Sequence, residues 1–147
     1  LALEGGLAET GAPLSRAQHL AVMRETLRAR AEIFGVWAMF EPDTFDGRDA
    51  DYAGRDGHDA VGAFAPYFTR QPDGIAFEHG IYAETQGEDY YQLPLKSAQE
   101  ALIDPYVEPT AGSQTNVLMA SLAVPVHKGG QVIGVAGVDL VLGTLTA

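Results

Sequence analysis

The residues most able to bind a cation lie in one acidic stretch, EPDTFDGRDADYAGRDGHD (residues 41–59). It holds seven carboxylates and two arginines in nineteen residues. An EF-hand calcium loop needs oxygen ligands at its first, third and fifth positions and glycine at its sixth. A loop that starts at Asp43 has Phe45 third and its glycine one residue early, and a loop that starts at Asp46 has Arg48 third. The stretch is therefore predicted to be a solvated loop with Asp-Gly turns and local arginine pairs, and no metal site is expected.

Side chains that could support catalysis are scattered. The chain has no cysteine, which removes disulfides, thiolate metal sites and thiol nucleophiles. Its four histidines, at positions 19, 58, 79 and 127, lack metal-ligand spacing. The G-x-S-x-G, H-E-x-x-H, P-loop and dinucleotide-binding patterns are absent from the sequence. The sequence predicts neither an enzyme nor a cofactor.

The charge is distributed unevenly along the 147 residues, whose net charge is −11. Residues 1–34 carry four acids and four arginines, whereas residues 35–147 carry sixteen acids against five bases. An acidic body disfavours nucleic acid and anionic lipid and favours cations as partners. A hydrophobic content of 46% is that of an ordinary globular domain, and no apolar run is long enough to span a membrane. The abrupt first and last residues lead us to expect a piece of a longer protein.

One amphipathic helix is predicted near the start of the chain, after a Gly-rich lead at residues 1–13. Ser15 and Gln18 form a capping-box pattern. The apolar positions that follow have the spacing of one helical face; they are Leu20, Met23, Leu27, Ala31 and Phe34. The helix is predicted over residues 15–34, with its apolar stripe facing the core or a dimer partner.

The remaining chain, residues 36–145, is rich in strand patterns. VWAMF predicts a first strand, and GAFAPYFTRQPDGIAFEHG predicts a hairpin with a turn at residues 71–74. EDYYQLPLKSAQE indicates a short helical turn interrupted by Pro94, and ALIDPYVEPT an edge strand. A final hairpin turns at residues 128–130. One helix followed by five or six mostly antiparallel strands predicts an α+β domain.

The order of these segments resembles the Cache family of extracellular sensory domains, which occur on bacterial chemoreceptors, sensor kinases and related transducers. The resemblance rests on a helix leading to GVW, then EPDTFDGRDADY, GAFAPYFTRQPDG, EDYYQLPLKSAQEALIDPYVEP and MASLAVPVHKGGQVIGVAGVDLVL. It implies a PAS-like fold over residues 14–147, with a helix behind a central sheet and a ligand pocket on the other face. It is closest to the membrane-distal unit of double-Cache receptors, and implies a periplasmic or extracellular location and a homodimer formed through the N-terminal helix. The acidic stretch then corresponds to the loop that joins the first two strands.

The resemblance also indicates which residues contact a ligand. Amino-acid-binding members carry an arginine on the pocket helix that holds the ligand carboxylate, and this chain has Glu88 in its place. The family's amine-binding positions correspond to Tyr106, Glu108 and Asp139, and its pocket-helix aromatics to Tyr90 and Tyr91.

The missing arginine favours a ligand that is an amine without an obligatory carboxylate, such as a polyamine, a biogenic amine or a quaternary ammonium compound. Glutamate repels a carboxylate, whereas carboxylates and aromatic rings suit a cation. Trp37 and Asp104 are further candidates for the site. Three alternatives remain open: an organic acid or amino acid held through Arg70, a binding protein in place of a free ligand, or a structural dimerisation module with a degenerate pocket.

Overall fold

The structure, a computed structural model, describes residues 14–109 and 116–145, without the side chains at positions 106, 108, 109, 116, 117 and 143–145. Its helices are α1 (Arg16–Ala29), α2 (Asp49–Tyr52), α3 (Tyr82–Thr85) and α4 (Asp89–Ser97). Its strands are β1 (Gly35–Phe40), β2 (Pro66–Gln71), β3 (Gly74–His79), β4 (Ala101–Pro109), β5 (Asn116–Lys128) and β6 (Gln131–Leu145). They form one antiparallel sheet in the order β3-β2-β1-β6-β5-β4. The α+β fold, both hairpins and the edge position of β4 are as predicted, while the predicted lead segment 1–13 lies outside the described residues.

Helix α1 begins with the predicted capping box and ends earlier than expected. The backbone amide of Gln18 donates to Ser15 Oγ at 3.1 Å, and the Ser15 amide donates to Gln18 Oε1 at 2.9 Å. The helix ends at Ala29 instead of residue 34, because the chain leaves helical geometry at Arg30. The guanidinium of Arg70, from β2, donates to the carbonyls of Leu27 at 2.5 Å and Arg30 at 2.9 Å, which satisfies the C-terminal acceptors of α1.

Strand β1 is central and separates two hydrophobic clusters. Val36 and Phe40 pack towards α1 in the cluster that contains Met23 and Leu27. Trp37 and Met39 alternate with them and pack in a second cluster, on the opposite face, with Tyr91 of α4. The sheet therefore carries α1 on one face and α4 on the other.

Pro94 does not interrupt the helix as the sequence predicted. It lies inside α4, which continues to Ser97 and ends at Ala98 in the left-handed conformation (φ 56°). A proline removes the hydrogen bond to the carbonyl four residues before it and crowds that carbonyl, which here belongs to Tyr90 in the first turn of a nine-residue helix. Its side chain is buried, and this packing offsets the lost hydrogen bond.

The acidic stretch joins β1 to β2, as predicted, but much of it is folded against α1. Arg16, only 3% exposed, forms ion pairs with Asp46 at 2.8 Å and Asp49 at 2.6 Å. Its guanidinium also donates to the carbonyl of Gly62 and lies 4.1 Å from the ring centre of Tyr52. The hydrogen bond from Arg16 lowers the pKa of the Asp46 carboxyl. Within residues 14–109 and 116–145, no three His, Asp or Glu side chains are grouped as metal ligands.

We expect Arg16→Ala to lower the free energy of unfolding by about 3 kcal/mol, because it leaves buried carboxylates without their cation. Arg28→Ala, on the same helix, removes an exposed pair with Glu25 and is expected to cost less than about 1 kcal/mol. Urea denaturation followed by circular dichroism measures both values. Equal effects of the two substitutions would contradict the structural role of Arg16.

Candidate ligand-binding cavity

A cavity of about 280 Å³ lies on the face of the sheet opposite α1. Strands β1, β2, β3 and β6 form its floor, and residues of α3 and α4 form its roof. The polar and aromatic side chains among its lining residues are Trp37, Tyr67, Glu78, His79, Glu84, Thr85, Tyr90, Tyr91 and Asp139. This volume is near the lower end of the range for small-molecule pockets, about 300–1,000 Å³, and suits a small ligand.

The floor of the cavity is built around Asp139 of β6, which is 2% exposed. Its Oδ1 accepts hydrogen bonds from Trp37 Nε1 at 3.0 Å and Ser121 Oγ at 2.6 Å. Its Oδ2 accepts one from the Tyr67 hydroxyl at 2.8 Å. These hydrogen bonds stabilise the buried carboxyl group of Asp139.

Two glycines make room for this arrangement. A Cβ atom at Gly137 would lie 2.5 Å from Cε2 and 2.7 Å from Nε1 of Trp37. A Cβ atom at Gly35 would lie 2.8 Å from Cε1 of Tyr67 and 3.0 Å from Oδ2 of Asp139. The rings of Trp37 and Tyr67 can therefore cross neighbouring strands to reach Asp139 only where those strands carry glycine.

Helix α4 supplies the aromatic part of the roof. The ring of Tyr90 meets that of Trp37 edge to face, with centroids 5.3 Å apart. Tyr91 is fully buried, and its hydroxyl donates to Glu41 Oε2 at 2.7 Å. Burial, and then the hydrogen bond to Glu41, raise the pKa of Tyr91, so this hydroxyl stays protonated and acts as a donor. The cavity thus has tyrosine rings on its roof and a carboxylate at its floor.

The rim of the cavity adds further negative charge. Glu78 of β3 and Glu84 of α3 both line it, and burial raises the pKa of Glu78. A desolvated carboxylate of this kind gains from a nearby cation. Among the residues that the structure describes, no arginine or lysine lines the cavity.

The structure brings four of the predicted site residues together: Trp37, Tyr90, Tyr91 and Asp139 line the cavity. Three other predicted residues, Glu88, Asp104 and Arg70, lie elsewhere. Glu88 is the exposed N-cap residue of α4, and Asp104 is exposed on the edge strand β4.

Arg70 faces the opposite side of the sheet, where its guanidinium contacts the end of α1. It therefore does not line the cavity as the organic-acid alternative requires. Tyr106 and Glu108 belong to β4, but their side chains are outside the described part of the structure.

Five polar or aromatic lining residues were not predicted from the sequence: Tyr67, Glu78, His79, Glu84 and Thr85. The register of the first hairpin was the signal for two of them. Glu78 pairs with Tyr67, and Tyr67 pairs with Trp37 across β1 and β2. Residues paired across antiparallel strands lie on the same face of a sheet, so these three side chains form a row along the cavity floor. Glu84 lies on the short helix α3, which has no periodic signal.

We expect Gly137→Ala to push the Trp37 ring away from Asp139 and to lower the free energy of unfolding by about 1–3 kcal/mol. Trp37 is the only tryptophan in the chain, so its fluorescence emission reports this displacement directly. Gly87→Ala is the matched control, because a Cβ atom there meets nothing within 4 Å. An emission spectrum of Gly137→Ala identical to that of the wild type would contradict this packing.

Comparison with known proteins identifies the family. Residues 20–147 match the family described as "Methyl-accepting chemotaxis protein-like, first PDC sensor domain". The methyl-accepting chemotaxis protein TlpQ of Pseudomonas aeruginosa is 32% identical over 138 residues, which cover 85% of this chain and 19% of TlpQ. The chain therefore spans about a fifth of the length of this curated relative.

Solved structures agree with this assignment. The extracellular domain of mmHK1S-Z3, a protein described as a histidine kinase, is 32% identical with a TM-score of 0.75, over 87% of this chain and 44% of that one. The sensory domain of the Campylobacter jejuni chemoreceptor Tlp3, solved with isoleucine bound, shares the fold at 16% identity, with a TM-score of 0.54 over 95% and 48% of the two chains.

The family consists of ligand-binding sensor modules that catalyse no reaction, on the periplasmic or extracellular side of membrane receptors. None of the helices in the described residues has the length and apolar character needed to cross a membrane. The matched family, the relative and the fold agree with the Cache-type resemblance seen in the sequence. The chain belongs to the family of first PDC sensor domains of methyl-accepting chemotaxis protein-like receptors.

Proposed function

We propose that this sensor domain binds a small cationic amine in the cavity beneath α3 and α4. The observation that carries the proposal is the composition of the cavity wall. Three carboxylates, from Glu78, Glu84 and Asp139, share it with the rings of Trp37, Tyr67, Tyr90 and Tyr91. An ammonium group in this space would meet a negative potential and the faces of aromatic rings.

The same wall disfavours an anionic ligand. A carboxylate ligand near Asp139 would lie beside a buried negative charge, and like charges in a partly desolvated site repel strongly. Arg70 cannot relieve this repulsion from its position at α1, where it donates to backbone carbonyls. The position that holds an arginine in the amino-acid-binding relatives is Glu88 here, at the exposed start of α4.

An amino acid is the second candidate, and one observation favours it. His79 lines the cavity at the end opposite the floor strand β6, so its imidazole could donate a hydrogen bond to a ligand carboxylate while Asp139 faces the amine. Isoleucine is bound by Tlp3, which shares this fold. We rank this candidate second because three carboxylates outnumber the one histidine.

We expect a thermal-shift screen of the domain to show stabilisation by putrescine, histamine or choline, and not by organic acids. A ligand at a hundredfold excess over its dissociation constant contributes about 2.7 kcal/mol. Asp139→Asn keeps a side chain of the same shape but removes the charge, and is expected to abolish the shift. Glu100→Gln, an exposed change of equal charge, is the control.

Stabilisation by isoleucine-like amino acids but not by choline would instead favour the second candidate. Stabilisation by organic acids alone would contradict both. An unchanged shift in Asp139→Asn would exclude Asp139 as the anchor. Trp37 fluorescence confirms that each variant is folded.

We also infer that two copies pair along α1 in the receptor. The outer face of this helix exposes small side chains, Ala21 and Ala29, beside a shallow groove that is also lined by Val22, Glu25, Thr26 and Arg30. Small residues allow two helices to approach closely.

We expect Ala29→Glu to reduce dimer formation, because it places a charged side chain in the groove. Ala31→Glu, just beyond the end of α1, is the matched control. Sedimentation velocity at increasing protein concentration measures the dimer fraction. A wild-type domain that stays monomeric throughout would contradict pairing by this helix.

A further inference from the structure

Glu41, the first residue after β1, contacts both helices of the cavity roof. Its Oε2 accepts hydrogen bonds from the hydroxyls of Tyr82 at 2.5 Å and Tyr91 at 2.7 Å. Tyr82 belongs to α3 and Tyr91 to α4, and the two rings lie edge to face with centroids 6.4 Å apart. One carboxylate oxygen therefore joins the two helices to the end of a central strand. Glu41 itself does not line the cavity.

The other end of the acidic stretch holds α3 as well. Asp59, 6% exposed, accepts a hydrogen bond at Oδ2 from the backbone amide of Tyr82 at 3.0 Å. Its Oδ1 accepts from the amides of Val61 at 3.1 Å and Ala63 at 2.9 Å, which fixes the carboxylate in place. Tyr82 is thus held through its hydroxyl and through its backbone.

Helix α3 depends on such contacts. It has four residues, and its own N-cap residue, Ile81, makes no capping hydrogen bond with its side chain. A helix this short is unstable without tertiary contacts. Its residues Glu84 and Thr85, and Ile81 just before it, line the cavity, so the position of α3 decides whether the roof is closed.

We propose that Glu41 is a positioning residue: its carboxylate clasps Tyr82 and Tyr91 and thereby holds the roof closed over the cavity. Glu41 sets the affinity for the ligand without contacting it. The effect on affinity rests on the proposed amine-binding function, whereas the clasp itself does not.

A carboxylate suits this role better than a neutral acceptor. Hydrogen bonds to an ionised acceptor are stronger than those between neutral groups. Burial, and then the hydrogen bond to Glu41, raise the pKa of Tyr82 to about 12. Both phenols consequently remain protonated and able to donate at any pH the domain meets outside the cell.

The test compares Glu41→Leu, Glu41→Gln and Tyr82→Phe with the wild type. Leucine removes both hydrogen bonds, glutamine keeps a neutral acceptor, and Tyr82→Phe removes one hydroxyl that does not line the cavity. Asp56→Asn is the control, because it removes one negative charge from the same loop at an exposed position. Amide hydrogen exchange of the ligand-free domain measures how readily the roof helices α3 and α4 open. Calorimetric titration with choline and putrescine measures the affinity for each probe.

We expect Glu41→Leu to speed amide exchange across residues 81–92 by tenfold or more and to weaken binding of both probes by about tenfold. Glu41→Gln should partly restore both quantities. Adding Tyr82→Phe to Glu41→Leu should have no further effect, since the hydroxyl has already lost its acceptor. If Glu41→Leu does not fold, Tyr82→Phe alone must show faster exchange at α3.

Three results would overturn the clasp. The first is exchange in Glu41→Leu equal to that in Asp56→Asn. The second is weaker binding with unchanged exchange, which would mean that Glu41 acts through its charge alone. The third is faster exchange spread evenly over the whole sheet. If the wild-type domain binds neither probe while the variants show the expected differences in exchange, the amine function is overturned and the clasp is supported.

Discussion

The buried carboxylate of Asp139 constrains the rest of the sheet. A charge that is 2% exposed needs donors, and it takes them from β1, β2 and β5 through Trp37, Tyr67 and Ser121. A shift of one residue in any of these strands would turn the donor to the opposite face. The register of four strands is thus tied to one side chain, which is also the anionic floor of the cavity.

The backbone of Asp139 links the cavity to the N-terminal helix. Its carbonyl accepts a hydrogen bond from the amide of Phe34 at 2.9 Å, and the Phe34 carbonyl accepts one from the amide of Arg70 at 2.8 Å. The Arg70 guanidinium in turn holds the carbonyls at the end of α1. A ligand that moved Asp139 would therefore act on α1 through contiguous hydrogen bonds.

Most of the fold and part of the site could be predicted from the sequence. Strand alternation and turn residues gave the hairpins, and a lone charge in the apolar run GVAGVDLVL marked Asp139. Arg70 was proposed as a ligand-binding residue, although strand alternation held the contrary signal: Phe68 packs towards α1, so Arg70, two residues later, faces α1 as well. The ion pairs of Arg16 join residues 30 and 33 positions apart, and no local pattern reveals such a contact.

Several carboxylates of the acidic stretch, residues 41–59, stabilise the fold. Asp46 and Asp49 form ion pairs with Arg16, and Glu41 and Asp59 hold the roof helix α3. The carboxylates that line the cavity come instead from β3, α3 and β6. Salt screens charges beyond about 8 Å at physiological ionic strength, so the net charge of −11 attracts cations only weakly at a distance. Selection of a ligand must therefore come from the few carboxylates and rings within the cavity, and from whatever holds its roof in place.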